Sequence, residues 1–130
     1  MSKIIKIKEQ TDIFLDVVLA AIADKKGEDI QIIDLQQHNG AIADFFVVCQ
    51  GNSVTQVEAI ADNVVKKVNE NFSTQPFAKD NNRNTTWGIL DYGNVFLHVF
   101  TPEARALYQI EKLWGDAPRK NVSTTTTLPE

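Results

Sequence analysis

Thr85-Thr86-Trp87-Gly88-Ile89-Leu90-Asp91-Tyr92-Gly93-Asn94-Val95-Phe96-Leu97-His98-Val99-Phe100 leads into Thr101-Pro102-Glu103-Ala104-Arg105-Ala106-Leu107-Tyr108, then Gln109-Ile110-Glu111-Lys112-Leu113-Trp114-Gly115-Asp116-Ala117-Pro118. Two apolar runs flank Asp91-Tyr92-Gly93-Asn94, a Gly/Asn/Asp reversal that predicts an antiparallel hairpin. Thr101 is placed to cap the following helix, Pro102 suits its first position, and Glu103 favours its positive end. Gly115 supplies a stop and Pro118 prevents resumption. Both tryptophans and both tyrosines of the chain fall in this segment. Large amphipathic rings are enriched at protein interfaces, so the segment is also the first place to look for a partner surface.

Upstream, Ser53-Val54-Thr55-Gln56 matches a capping box, and Val57, Ile60, Ala61, Val64 and Val68 repeat at helical spacing to about Asn71. Ala43 to Gln50 contains Phe45-Phe46-Val47-Val48-Cys49, an apolar run too short for a typical helix, which predicts a strand buried on both faces. Asp29 to Leu35 is a second, isoleucine-rich strand, separated from the first by the polar turn around His38 and Gly40. A first helix is predicted from Thr11 or Asp12, with Leu15, Val18, Leu19 and Ile22 on one stripe and Gly27 as its stop. Residues 1–10 read as an arm or edge strand, Ser73 to Asn84 as a polar connection, and residues 119–130 as a disordered tail. The folded part is therefore a single domain over 11–118. Its order of helix, strand, strand, helix, strand, strand, helix predicts an α/β fold with a mixed sheet and helices packed on it. Three helices leave part of such a sheet uncovered, and an open apolar face calls for a partner or a second copy.

A length of 130 residues suits one core without disulfides, and the single cysteine, Cys49, cannot form an internal bridge. The net charge of −4 disfavours general binding to a phosphate backbone, which calls for a basic stripe. It is compatible with docking on a basic protein. No run approaches the length of a membrane span, and the amino terminus lacks the pattern of a secretory signal, so a cytoplasmic setting is expected.

Catalytic constellations are poorly supplied. Cys49 lies within an apolar strand, His38 and His98 are the available bases, and no nucleophile elbow is present. One cysteine and two distant histidines make a weak zinc set, and no metal or cofactor is expected. Gly51-Asn52-Ser53, at a strand-to-helix junction, resembles the Gly-Ser corner of nucleotidyltransferases. Those enzymes also need paired carboxylates for metal-assisted transfer, and here the next strand ends in the lone Asp91. Capping is the simpler role for Ser53.

Ala43-Asp44-Phe45-Phe46-Val47-Val48 with Gly51-Asn52-Ser53, the segment from Gln56 to Val64, Trp87 through Leu90-Asp91-Tyr92-Gly93, His98-Val99-Phe100, and Tyr108 through Leu113-Trp114-Gly115-Asp116-Ala117-Pro118 together resemble the ribosomal silencing factor family (RsfS, also called Iojap). The resemblance covers about Thr11 to Arg119. It implies a nucleotidyltransferase-like fold without the catalytic carboxylates, and a binding function rather than an enzymatic one. It also implies docking on ribosomal protein fourteen of the large subunit, a steric block to joining with the small subunit, and repression of translation and ribosome biogenesis when nutrients are scarce. A homodimer is implied for the free protein.

Carried onto matching positions, the resemblance places the ribosomal-protein interface at Trp87, Ile89, Asp91, Tyr92, His98, Tyr108, Glu111, Lys112, Leu113, Trp114 and Asp116. Trp87 and Trp114 would be apolar anchors, and Asp91, Glu111 and Asp116 partners for Arg or Lys. Structural readings stand beside these. Leu113 or Trp114 falls at core spacing with Ile110 and Leu107, Asp91 can stabilise its own turn, and Asp116 can satisfy backbone donors after the helix. Tyr92, a bulky ring at a turn expected to be exposed, is the residue that folding explains least. Two other functions compete: a divergent nucleotidyltransferase using Gly51 to Ser53, and a scaffold whose aromatic surface serves only self-association.

Overall fold

The computed structural model describes residues 2–38, 40–80 and 84–122, with side chains from residue 10 onward. Its elements are α1 (Ser2–Asp24), β1 (Glu28–Asp34), β2 (Phe45–Gln50), α2 (Val54–Phe72), β3 (Ala78–Asp80), β4 (Trp87–Asp91), β5 (Val95–Phe100), α3 (Pro102–Tyr108), α4 (Ile110–Leu113) and β6 (Arg119–Val122). The strands form one sheet in the order β3-β4-β5-β2-β1-β6. Its one parallel pair, β2 with β5, is connected through α2; the other neighbouring pairs are antiparallel. This is the mixed α/β sheet that the order of elements predicted.

Alternation along the strands divides the apolar residues between two faces. Ile30, Val47, Cys49, Leu90, Leu97 and Val99 join Leu15, Val18 and Ile22 of α1 and Val57, Ile60, Val64 and Val68 of α2 in the larger core. Ile33, Phe46, Val48 and Phe100 point the other way and meet Ala104, Ile110 and Ala117. The first face is roofed by two long helices. The second has two short ones.

Local chemistry accounts for the predicted elements. Ser53 Oγ accepts from Gln56 N at 3.1 Å and opens α2, while Gln56 Oε1 reaches back to Asn52 N at 2.7 Å, one residue earlier than the usual capping box. Thr101 Oγ1 accepts from Ala104 N at 3.3 Å and opens α3 with Pro102 in its first turn. The hairpin closes through Tyr92 N to Val95 O, with Gly93 at φ +88°.

Four expectations are corrected. Residues 2–10 are the opening turns of α1, not an arm or edge strand, so that helix begins well before Thr11. Once the Leu15-to-Ile22 half is nucleated by packing, each added turn makes backbone bonds at little entropic cost. The supposed single final helix breaks at Gln109, which adopts φ 49° and accepts from Lys112 N at 3.0 Å, opening α4. The break swings Ile110 into the second core. The polar connection contains β3, paired with β4 through Ala78, Lys79 and Asp80; residues 81–83 lie outside the described part. The supposed tail begins with β6, whose Arg119, Lys120, Asn121 and Val122 pair with β1. The rest of that tail, 123–130, lies outside the described residues.

Candidate protein-binding face

The second face of the sheet is half covered. α3, α4 and the segment through Ala117 lie over β1, β2 and one end of β5. Toward the β3 edge nothing described lies on top. Strand register builds this face row by row: Trp87 beside Phe100, Ile89 beside His98, and Asp91 beside Phe96. Asp80 sits beside Ile89 and Ala78 beside Asp91 on the outermost strand. Ile89 and Phe96, both half-buried, are the apolar centre of this open area. Leu113 at 73% exposure, on α4, and Ile42 at 66%, between Ala41 and Ala43 of the second core, are exposed apolar side chains of the covering segments.

Beneath the opening lies a ring cluster. Trp87 stacks on Phe100 with centroids 4.9 Å apart and meets Tyr108 at the same distance. Its indole Nε1 donates to His98 Nδ1 at 3.1 Å. That bond requires a free lone pair on Nδ1 and so places the proton of neutral His98 on Nε2. Phe46 packs against His98 at 4.6 Å, Phe96 at 5.9 Å and Trp114 at 6.1 Å. Burial pushes His98 down to about 4, so the imidazole is neutral at physiological pH. His98 Nε2 and Trp114 Nε1 are buried without hydrogen-bond partners. The cluster is stiff, apolar and pre-formed, which lowers the entropic cost of binding.

The eleven residues assigned to the interface separate in space. Trp87, Ile89, Asp91 and His98 share the sheet face. Tyr108 of α3, half-exposed, packs on Trp87, and Trp114, just after α4, packs on Phe46, while Lys112 and Leu113 are exposed on α4. Tyr92 departs from this group: it is only 7% exposed and lies in the larger core on the opposite face, its ring edge-on to Phe14 at 5.2 Å. Strand alternation carries Tyr92 onto the face of Leu90, two residues before it, rather than that of Asp91, and Phe14 of α1 covers it. Burial also pushes its hydroxyl up to about 12.

The acidic residues are also engaged within the chain. Asp91 Oδ1 accepts from Gly93 N at 2.7 Å, holding the turn. Glu111 is paired with Arg105 at 2.8 Å, and both side chains are largely buried. Asp116 lies 3.2 Å from His38 Nε2 instead of bonding backbone donors after the helix, and His38 stands edge-on to Trp114. Of Leu113 and Trp114, the tryptophan belongs to the core and the leucine to the surface. Sequence reasoning passed over Phe96, Ile42 and Asp80. Strict alternation along β5 gives Phe96 the same face as His98, a signal that was available.

The Gly51-to-Ser53 corner is closed by its own bonds. Gly51 N donates to Phe100 O, Asn52 N to Gln56 Oε1, and Ser53 Oγ is taken by Gln56 N. The adjoining groove of about 440 Å³ includes Glu103, whose carboxylate opposes a phosphate. Cys49 is fully buried, and desolvation pushes its thiol up to about 12, against the pull of Arg105. It is a small core residue with no thiolate character.

Residues 8–129 match the family model described as "Ribosomal silencing factor during starvation". The ribosomal silencing factor RsfS of Bacillus subtilis is 39% identical over 104 residues, covering 80% of this chain and 86% of that protein. A mouse protein named "Mitochondrial assembly of ribosomal large subunit protein 1" is 26% identical over 102 residues, covering 77% of this chain and 44% of its own length. A crystal structure of a protein from Bacillus halodurans superposes with TM-score 0.73 at 32% identity, covering 85% of this chain and 99% of that one.

Proposed function

This chain belongs to the ribosomal silencing factor family, and from that premise we propose that it represses translation by occupying the large ribosomal subunit. The uncovered sheet face docks on ribosomal protein fourteen, where the bulk of the domain obstructs the small subunit. The observation that carries this reading is the half-covered face itself: Ile89 and Phe96 open to a partner, floored by Trp87, His98 and Phe46, with Leu113 exposed on α4. An apolar centre with a rigid aromatic floor is the anatomy of a hot spot. Asp80 and Asp91 beside it and the exposed Asp116, on a chain of net charge −4, suit a basic ribosomal protein and speed encounter with it. The mouse relative's name, which carries the large subunit, agrees with this choice of partner.

Blocking a surface requires affinity and volume, and no bond-making chemistry, so the protein acts without turnover in the cytoplasm. When no subunit is available, the same apolar face serves a second copy of the chain, and homodimer and ribosome compete.

The test is co-sedimentation with isolated large subunits, with small subunits as control. The wild-type protein should pellet with large subunits alone. Ile89→Asp places a charge at the centre of the face without touching the larger core, and should weaken binding roughly thirtyfold or more. Equal pelleting of wild type and Ile89→Asp would place the contact on another face.

A further inference from the structure

α4 is a helix of four residues, Ile110–Leu113, and a helix that short does not hold itself. Its local backbone bonds include Lys112 N to Gln109 O at 3.0 Å, a long Trp114 N to Glu111 O at 3.4 Å, and Ala117 N to Trp114 O at 2.9 Å. Two guanidinium groups reinforce this thin set. Arg105 of α3 donates from Nε to Glu111 Oε2 at 2.8 Å, and from Nη1 to Asp29 O at 2.7 Å and Gln50 Oε1 at 3.2 Å, tying Glu111 to the sheet. Arg119, the first residue of β6, donates from Nη2 to Glu111 O at 3.2 Å and Trp114 O at 2.5 Å. Arg119 is itself anchored, because it pairs with Ile33 of β1 and Pro118 O accepts from Asp34 N at 2.8 Å.

We infer that Arg119 is a positioning residue for the binding face: from the edge strand β6 it helps to fix the carboxyl end of α4, and thereby sets where Leu113 meets the partner and how Trp114 is seated beneath. The inference deepens the large-subunit reading and rests on it. Arginine suits the site because Nη2 donates to both carbonyls while Nε, on the same rigid plane, lies 3.5 Å from Ala117 O. A lysine at the same place keeps one ammonium donor and loses the planar anchor through Nε. Leu113 has no core contact to hold it in place, being 73% exposed, so its direction follows the carbonyl cap. Trp114 lies between His38 and Phe46, and loss of the cap frees its backbone while leaving its ring partners intact.

The experiment uses the full chain with Arg119→Ala and Arg119→Lys. In a Trp87→Phe background Trp114 is the sole tryptophan. There, Arg119→Ala should shift its emission to the red and speed amide exchange over residues 110–118, with the urea midpoint of the whole domain little changed. With both tryptophans present, affinity for large subunits should fall about tenfold in Arg119→Ala and recover in part in Arg119→Lys. An Arg119→Ala protein with unaltered Trp114 emission and unaltered affinity overturns the inference. So does a loss of affinity that merely follows the global urea midpoint and is not relieved by lysine. Wild type that fails to bind large subunits overturns the underlying reading and this inference with it. Wild type and Arg119→Ala binding equally overturns this inference alone.

Discussion

Two side chains bury polar atoms at a cost, and each cost has a measurable consequence. His98 is held neutral by burial, its pKa lowered from 6.5 to about 4. Between those values the unfolded chain binds a proton that the folded chain does not. Stability therefore rises with pH through this window and is lost as acid is added from 6.5 toward 4, by about 3 kcal/mol in all. His98→Phe lacks that term, so its stability deficit relative to wild type should narrow as urea titrations move from the upper to the lower end of the window. A constant deficit would show that His98 titrates normally in the folded state. Tyr92 has a buried hydroxyl with no partner. Removing an orphaned polar atom costs nothing in hydrogen bonding, so Tyr92→Phe should be neutral or stabilising by up to about 1 kcal/mol. Tyr92→Ala deletes a core ring and should cost about 3–5 kcal/mol. Any binding defect of Tyr92→Ala should then accompany lowered stability, measured by urea unfolding.

At the scale of elements, what could be read from the chain was what is local to it. The Ser53 and Thr101 caps, the Gly93 reversal and the α2 stripe each depend on neighbours a few residues away, and each stands where those neighbours put it. β6 was illegible because Arg119-Lys120-Asn121-Val122 is mostly polar and becomes a strand only by pairing with Ile30 to Ile33, far off in sequence. The burial of Tyr92 was hidden for the same reason: the cover comes from Phe14 on α1. The break between α3 and α4 had no glycine to announce it, since Gln109 takes a left-handed conformation that costs a residue with a Cβ about 1 kcal/mol. Gln109→Gly should relieve that strain and stabilise the domain by about 0.5–1 kcal/mol in thermal or urea unfolding. If the break were instead an accident of weak packing, glycine there would loosen α4 and lower stability.

The whole molecule has one sheet face packed by α1 and α2 and another left half open, and that asymmetry suits the proposed role of covering a partner surface. A steric blocker and a catalyst differ in how their effects scale and in what order they must act. A catalyst works below stoichiometry; a blocker inhibits only the subunits it occupies. Light-scattering assays of subunit joining should therefore show inhibition that rises with the fraction of large subunits bound and saturates near one copy per subunit, with no nucleotide required. Order of addition sharpens the distinction. Factor mixed with large subunits before the small ones should prevent joining. Factor added to ribosomes already joined finds its surface covered, and should act no faster than those ribosomes come apart on their own. Ile89→Asp should shift the inhibition curve to higher concentration by the same roughly thirtyfold that it weakens sedimentation, because in a blocker occupancy and effect are one quantity. Inhibition at a small fraction of the subunit concentration, or rapid splitting of joined ribosomes, would require an active mechanism that an uncovered sheet face does not provide.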